Sequence, residues 1–168
     1  MGLLAGCWSA AATAQALDAP NVVVIGPNLV TSGQPTAQAL ARLSQQGFEA
    51  VIYLAPSSVP DAVGTEPEVV AQQGLEFIHL PVPFGSPTEG HFESFAAALQ
   101  RLKGRKVLVH CQVNMRASTM VFLYRVIFEK ESPASAWESV TRVWSPEGPW
   151  KRLALSQMVK HGIKFDPF

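Results

Sequence analysis

The run Val107-Leu108-Val109-His110 passes through Cys111-Gln112-Val113-Asn114-Met115-Arg116 into Met120 to Phe128, a stretch apolar on nearly every side. A short apolar run without polar alternation reads as a strand covered on both faces. A helix that is apolar all round has to be buried. A doubly covered strand feeding a buried helix through a tight turn belongs in an α/β sandwich whose sheet is mostly parallel.

The rest of the chain agrees. Val22 to Ile25 and Leu29 to Ser32 read as two strands joined at Gly26-Pro27-Asn28 in a hairpin. Thr36 caps a predicted helix running to Gln46, with Leu40 and Leu43 facing inward and Gly47 as its stop. Glu49 to Leu54 is a strand, Ala55 to Gly64 a proline-bearing loop, and Thr65-Glu66-Pro67-Glu68 a capping box for a helix ending near Gly74. Leu75 to Leu80 is the next strand, and Pro81 to Pro87 is too proline-rich to be helical. Thr88 caps a helix whose Phe92, Phe95, Ala96, Leu99 and Leu102 recur at helical spacing. Ser132-Pro133 opens a helix through Trp144, and Ser145 to Pro149 turn the chain into a last helix carrying Leu153, Leu155, Met158 and Val159. Trp137, Trp144 and Trp150 read as core or groove-wall residues. The pattern predicts one α/β domain over residues 17–168, a three-layer sandwich with a central, mostly parallel sheet flanked by helices. Ligands of such sheets sit beyond the C-terminal strand ends, where Cys111 lies.

Composition removes several alternatives. Hydrophobic residues make up 48% of the 168 and charged ones 15%, which supports a buried core and argues against disorder. Thirteen basic residues balance thirteen acidic ones, so no nucleic-acid partner is expected. The cluster Arg101, Lys103, Arg105, Lys106 reads as the solvated end of a helix. His79, His91, His110 and His161 lack zinc-ligand spacing, and neither a metal nor a cofactor is implied.

The loop carries the chemistry. A cysteine at the end of a buried strand is by default a small hydrophobe. Here it stands at a strand exit, with an arginine five positions on and a helix starting between them. Free amides of a first helical turn and the helix dipole attract an anion. Arg116 adds a planar, permanently charged fork suited to a tetrahedral oxyanion. The same field stabilises a thiolate on Cys111, the reactive form of the side chain.

His110-Cys111 before a loop ending in Arg116, with a buried helix behind, resembles the cysteine-dependent protein tyrosine phosphatases of the compact dual-specificity type. Thr31-Ser32-Gly33-Gln34-Pro35, then Gly47 to Leu54, then His79-Leu80-Pro81-Val82 follow one another as in bacterial members of that group, so the resemblance spans about residues 28 to 128. It implies hydrolysis of a phosphate monoester, with Cys111 as nucleophile, Arg116 as clamp on the phosphoryl oxygens, and the amides of Gln112, Val113, Asn114, Met115 and Arg116 as cradle. His110 would hold the loop and Ser118 assist breakdown of the phosphocysteine. The partner is then a phosphorylated substrate of unknown class. The chain differs from that pattern in two respects. Four residues rather than five separate Cys111 from Arg116, without glycine, and Pro81 to Pro87 lacks the general-acid aspartate. Asp61, Glu66 and Glu89 are the candidate substitutes. The shorter ring is similar to that of rhodanese-type sulfurtransferases, whose cysteine carries a persulfide. An inactive oxyanion-binding module is the third alternative.

Residues 1–16 are apolar and small, with no lysine or arginine before Arg42. Ala14-Gln15-Ala16 fits a signal cleavage site, and Leu4-Ala5-Gly6-Cys7 resembles a lipoprotein box that would anchor the chain to a membrane through lipidated Cys7. A periplasmic or secreted location is therefore expected. N-terminal sequencing of the mature protein should begin after Ala16, or show a blocked, lipidated Cys7; an intact Met1 would remove the export reading.

Overall fold

The computed structural model describes residues 16–168; the predicted leader, Cys7 included, lies outside them save for its last residue. Five strands form one sheet in the order β1 (Val23–Gly26), β2 (Leu29–Ser32), β5 (Val107–His110), β3 (Ala50–Tyr53) and β4 (Glu76–His79). The first two are the antiparallel hairpin, and β2, β5, β3 and β4 run parallel. Helices make the returns that a parallel sheet requires. These are α1 (Ala37–Leu40) after β2, α2 (Glu66–Gln72) after β3 and α3 (Glu89–Arg101) after β4. After β5 come α4 (Met115–Ile127), α5 (Pro133–Thr141) and α6 (Gly148–Lys160).

Strand side chains alternate between two cores, which is why β3 and β5 are apolar at every position but their last. Ala50, Ile52, Val107 and Val109 pack with Phe92, Phe95, Phe122 and Trp150 of the helices on one face. Val51 and Leu108 pack with Leu40, Leu43 and Val70 on the other. All residues of α4 from Arg116 to Ile127 are buried. Among the described residues no helix is long and apolar enough to cross a membrane, and no group of three or more His, Cys, Asp and Glu is placed to hold a metal.

Three local expectations are corrected. The helix predicted from Thr36 to Gln46 stops at Leu40 and resumes as a 3-10 turn, Ser44–Gln46. Gln73 explains the break. Its amide donates to the Leu40 carbonyl at 2.8 Å and accepts from the Ser44 amide at 3.1 Å, standing between the two groups that an unbroken helix would join. Thr36 does cap α1, accepting from the Ala39 amide at 3.2 Å. The capping box at Thr65 does not form, because Thr65 has ψ of 8° and its hydroxyl makes no cap bond. The Glu66 side chain turns inward instead. The helix predicted through Trp144 ends at Thr141. In the basic cluster Arg101 and Lys103 are exposed as expected, while Arg105 pairs with Glu76 and Lys106 lies over the Phe48 ring.

Buried Arg125, near the end of α4, is matched fully. Its Nε and Nη2 donate to the two carboxylate oxygens of Glu131 at 2.8 and 2.6 Å, and Nη1 donates to Ser139 Oγ at 3.0 Å. This fork fastens α4 to α5. Removing the carboxylate leaves a buried guanidinium half paired, so Glu131→Ala should lower stability by about 2–3 kcal/mol. Urea unfolding followed by circular dichroism measures it; a loss below about 0.5 kcal/mol would make the pair a surface ornament.

Candidate active site

The register places Ser32, His110, Tyr53 and His79 in one row across the C-terminal ends of the four parallel strands. The rings of His79, Tyr53 and His110 stack, with centroids 5.0 and 4.7 Å apart. Behind them Glu66, buried at the start of α2, uses both carboxylate oxygens. His110 Nε2 lies 2.6 Å from Oε1, and Gln34 Nε2 donates to Oε2 at 2.8 Å. The carboxylate requires the ring proton on Nε2. His110 Nδ1 is then left buried without a partner among the described residues.

The same Gln34 supports the loop through its backbone, its amide donating to the Gln112 carbonyl at 3.0 Å. Gly33 pairs with Val113 in an isolated bridge. A Cβ on Gly33 would sit 2.8 Å from the Gln112 carbonyl oxygen and 2.9 Å from Pro20, so only glycine permits the approach. Thr31-Ser32-Gly33-Gln34 is thus the back support of the cysteine loop.

The loop turns without glycine. Asn114 takes the left-handed conformation, φ 70°, that the missing glycine would supply. Its side chain is held from outside, Nδ2 donating to the Asn21 carbonyl at 2.6 Å and to Thr31 Oγ1 at 3.0 Å. Asn114 therefore makes no side-chain cap on α4. Among the described residues the amides of Gln112, Val113, Met115 and Arg116 find no hydrogen-bond acceptor. These are the donors that an anion needs.

Cys111 and Arg116, at the two ends of the loop, are both buried. The Tyr53 phenol is pushed up to about 12 by its own burial first, then by the charges of Glu66, Asp61 and Cys111, while Arg116 pulls it down. One hydroxyl thus lies in the field of both groups. Cys111 is 0% exposed and Arg116 5%. Burial of the sulfur is the feature that speaks against a reactive thiol. The contacts that bury Arg116 are identifiable. Arg116 Nε donates to the Val82 carbonyl at 2.9 Å, and its guanidinium lies 5.1 Å from the Phe84 ring centroid. Trp150 Nε1 donates to the Phe84 carbonyl at 2.9 Å and anchors that loop to α6.

The other candidates separate cleanly. Ser118 is buried and its hydroxyl donates to the Met115 carbonyl at 3.2 Å, inside the first turn of α4. Glu66 is committed to His110 and Gln34. Glu89 pairs with Lys160 at the start of α3. Asp61 stays exposed on the loop before α2, within the field of Tyr53. The support by Gln34 and Tyr53 is absent from the sequence reading, whose signal for it was the Ser-Gly-Gln-Pro run alone. In a Tyr124→Phe protein, tyrosinate absorbance should develop with a midpoint at about 12, and Glu66→Gln should lower it. Because the folded value lies above the unfolded one, stability is full below about pH 10 and is lost on the way to about 12. A midpoint near the ordinary phenol value would place Tyr53 in solvent.

A family model described as a DSP-PTPase phosphatase fused to NAD+ kinase matches residues 24–155. No curated protein matches the chain. Two solved structures of a DUF442 phosphatase candidate from Shewanella putrefaciens CN-32 superpose with TM-scores of 0.78 at 30% and 32% identity, covering 85% and 86% of this chain and 94% and 92% of theirs. The catalytic core of the PP-IP phosphatase SIW14 from S. cerevisiae shares the fold at 14% identity, with a TM-score of 0.66 and 90% of both chains covered. PTPMT1 in complex with PI(5)P does so at 20% identity, with a TM-score of 0.69 over 84% of this chain and 96% of that one. With a family match over most of its length and these relatives beside it, the chain belongs to the DSP-PTPase family, within the cysteine-dependent protein tyrosine phosphatases.

Proposed function

We propose that the chain hydrolyses phosphate monoesters through a phosphocysteine on Cys111, with Arg116 clamping the phosphoryl oxygens. The observation that carries this reading is the set of unpartnered amides at Gln112, Val113, Met115 and Arg116, next to a cysteine and an arginine, in a fold of phosphatases. Preorganised amide donors and a guanidinium are what a loose phosphoryl-transfer transition state needs, since its charge spreads over three equatorial oxygens. The Cys111 thiolate attacks phosphorus, the ester oxygen departs, and water then releases phosphate from sulfur.

A bound dianion would draw Arg116 away from the neutral Val82 carbonyl, because a full opposite charge attracts the guanidinium more strongly than a carbonyl dipole does. His110, held by Glu66, would keep the strand end and loop in place, and Ser118 would steady the first turn of α4. The relatives suggest inositol-based phosphates as one substrate class to try. The apolar leader supports action outside the cytoplasm, in the periplasm or medium.

Burial of the sulfur favours one second reading, a module that holds an oxyanion without turning it over. Sulfur transfer is supported only by the four-residue spacing. Purified protein offered 4-nitrophenyl phosphate should release phosphate, with turnover abolished in Cys111→Ser and reduced about 10²–10³-fold in Arg116→Lys. Thiocyanate formed from thiosulfate and cyanide would move the assignment to sulfur transfer. Retained phosphate that depends on Arg116, without any turnover, would make the chain a binder.

A further inference from the structure

Beside the cysteine loop lies a cavity of about 510 Å³, walled by Phe84, Gly85, Met115, Trp144, Trp150 and the segment Glu147 to Pro149. Met115 belongs to the loop itself, and the Phe84 wall is the ring that covers Arg116. The cavity therefore adjoins the cysteine loop and the ring that lies against Arg116. Its walls are preformed. The rings of Phe84, Trp144 and Trp150 pack in a triangle with centroids 5.8, 5.8 and 6.4 Å apart. Trp150 fixes the Phe84 backbone. Among the described residues one titratable side chain lines the cavity, Glu147.

Glu147 stands where the chain turns into α6, in extended conformation, and makes no side-chain cap bond. Its carboxylate has neither hydrogen-bond nor ion-pair partner among the described residues, whereas Glu66 and Glu89 are both engaged. Loss of an alcohol from phosphorus needs a proton on the departing oxygen unless that alcohol is already acidic. The loop from Pro81 to Pro87 carries no acid that could supply it.

Resting on the hydrolase reading above, we infer that this cavity receives the leaving group of the ester and that Glu147 is its proton donor. As the Cys111 sulfur lone pair forms the S–P bond, the P–O pair collapses onto the leaving oxygen, which takes the Glu147 proton. In the second step the Glu147 carboxylate takes a proton from water while the water oxygen bonds to phosphorus. The S–P pair returns to sulfur and inorganic phosphate leaves. Three aromatic walls, one carboxylate and no lysine or arginine fit an aromatic or apolar alcohol without further phosphates. A polyphosphorylated inositol would meet a like charge and no cation there.

The test compares wild type, Glu147→Gln and Asp61→Asn on phenyl, 4-nitrophenyl and 2,4-dinitrophenyl phosphates and on inositol hexakisphosphate, with folding checked by circular dichroism. Glu147→Gln should lose about 10²-fold in kcat/KM on phenyl phosphate, the loss shrinking as the leaving phenol becomes more acidic. Wild type should favour phenyl phosphate over inositol hexakisphosphate. A uniform loss across the phenols, no loss, or leaving-group dependence appearing in Asp61→Asn instead would overturn the assignment of Glu147, and a preference for the inositol ester would overturn the assignment of the cavity. Cys111→Ser keeps the two readings apart. Turnover that survives it sinks the hydrolase reading and this inference together; turnover that vanishes with it, while Glu147→Gln behaves as wild type, sinks this inference alone.

Discussion

The Glu66 carboxylate, shared between His110 and Gln34, is the contact on which the site depends. It joins three segments that are distant in sequence: the start of α2, the turn after β2 and the last residue of β5. A carboxylate that is only 2% exposed is costly unless both oxygens are matched, and here both are. The arrangement is therefore close to all-or-none. With it in place, the Gln34 backbone holds the Gln112 carbonyl and His110 holds the strand end, so the cysteine loop is positioned from behind before any ligand arrives.

The short ring between Cys111 and Arg116 follows from the same logic. A loop with one residue fewer has to turn more sharply, and Asn114 supplies the turn at a positive φ. For a residue with a Cβ that conformation costs about 1 kcal/mol, and two side-chain hydrogen bonds offset it. Tying the Asn114 side chain to Asn21 and Thr31 has a second effect. The side chain is unable to cap α4, so the first-turn amides stay unsatisfied among the described residues. Strain and unpaired donors at one spot are costs a fold tolerates where a ligand repays them.

Much of this was legible beforehand, and the misses share one cause. The strands of the parallel sheet and the buried helix follow from apolar runs and periodicity, signals carried by neighbouring residues. Gly47, Gly74 and Thr88 ended or capped elements as expected, again by local rules. Continuity of the first helix failed because Gln73, some thirty positions on, occupies the Leu40 carbonyl. The capping box failed because Glu66 has a buried partner forty-four residues away. Cys111, Arg116 and the anion-attracting helix start were readable because strand, loop and helix adjoin in sequence. Closure over Arg116 was not, since it depends on Val82, Phe84 and Trp150 meeting it in space.

That closure bears on which part of the site has to move. The Val82 amide donates to the Leu54 carbonyl at 2.9 Å, and the Phe84 carbonyl is held by Trp150, so the covering loop is pinned at two points. Arg116 is pinned by one hydrogen bond to a neutral oxygen and by the face of Phe84. A phosphate dianion offers the guanidinium a stronger partner, while it offers the loop nothing in exchange for its own anchors. On the proposed hydrolase reading the guanidinium is therefore the element that would yield. Side-chain rotation is faster and less costly than displacement of an anchored loop, and it leaves the aromatic cavity beyond Met115 unchanged. A rigid wall on one side and a releasable arginine on the other would let the phosphate unlock a site whose shape toward the alcohol is already set.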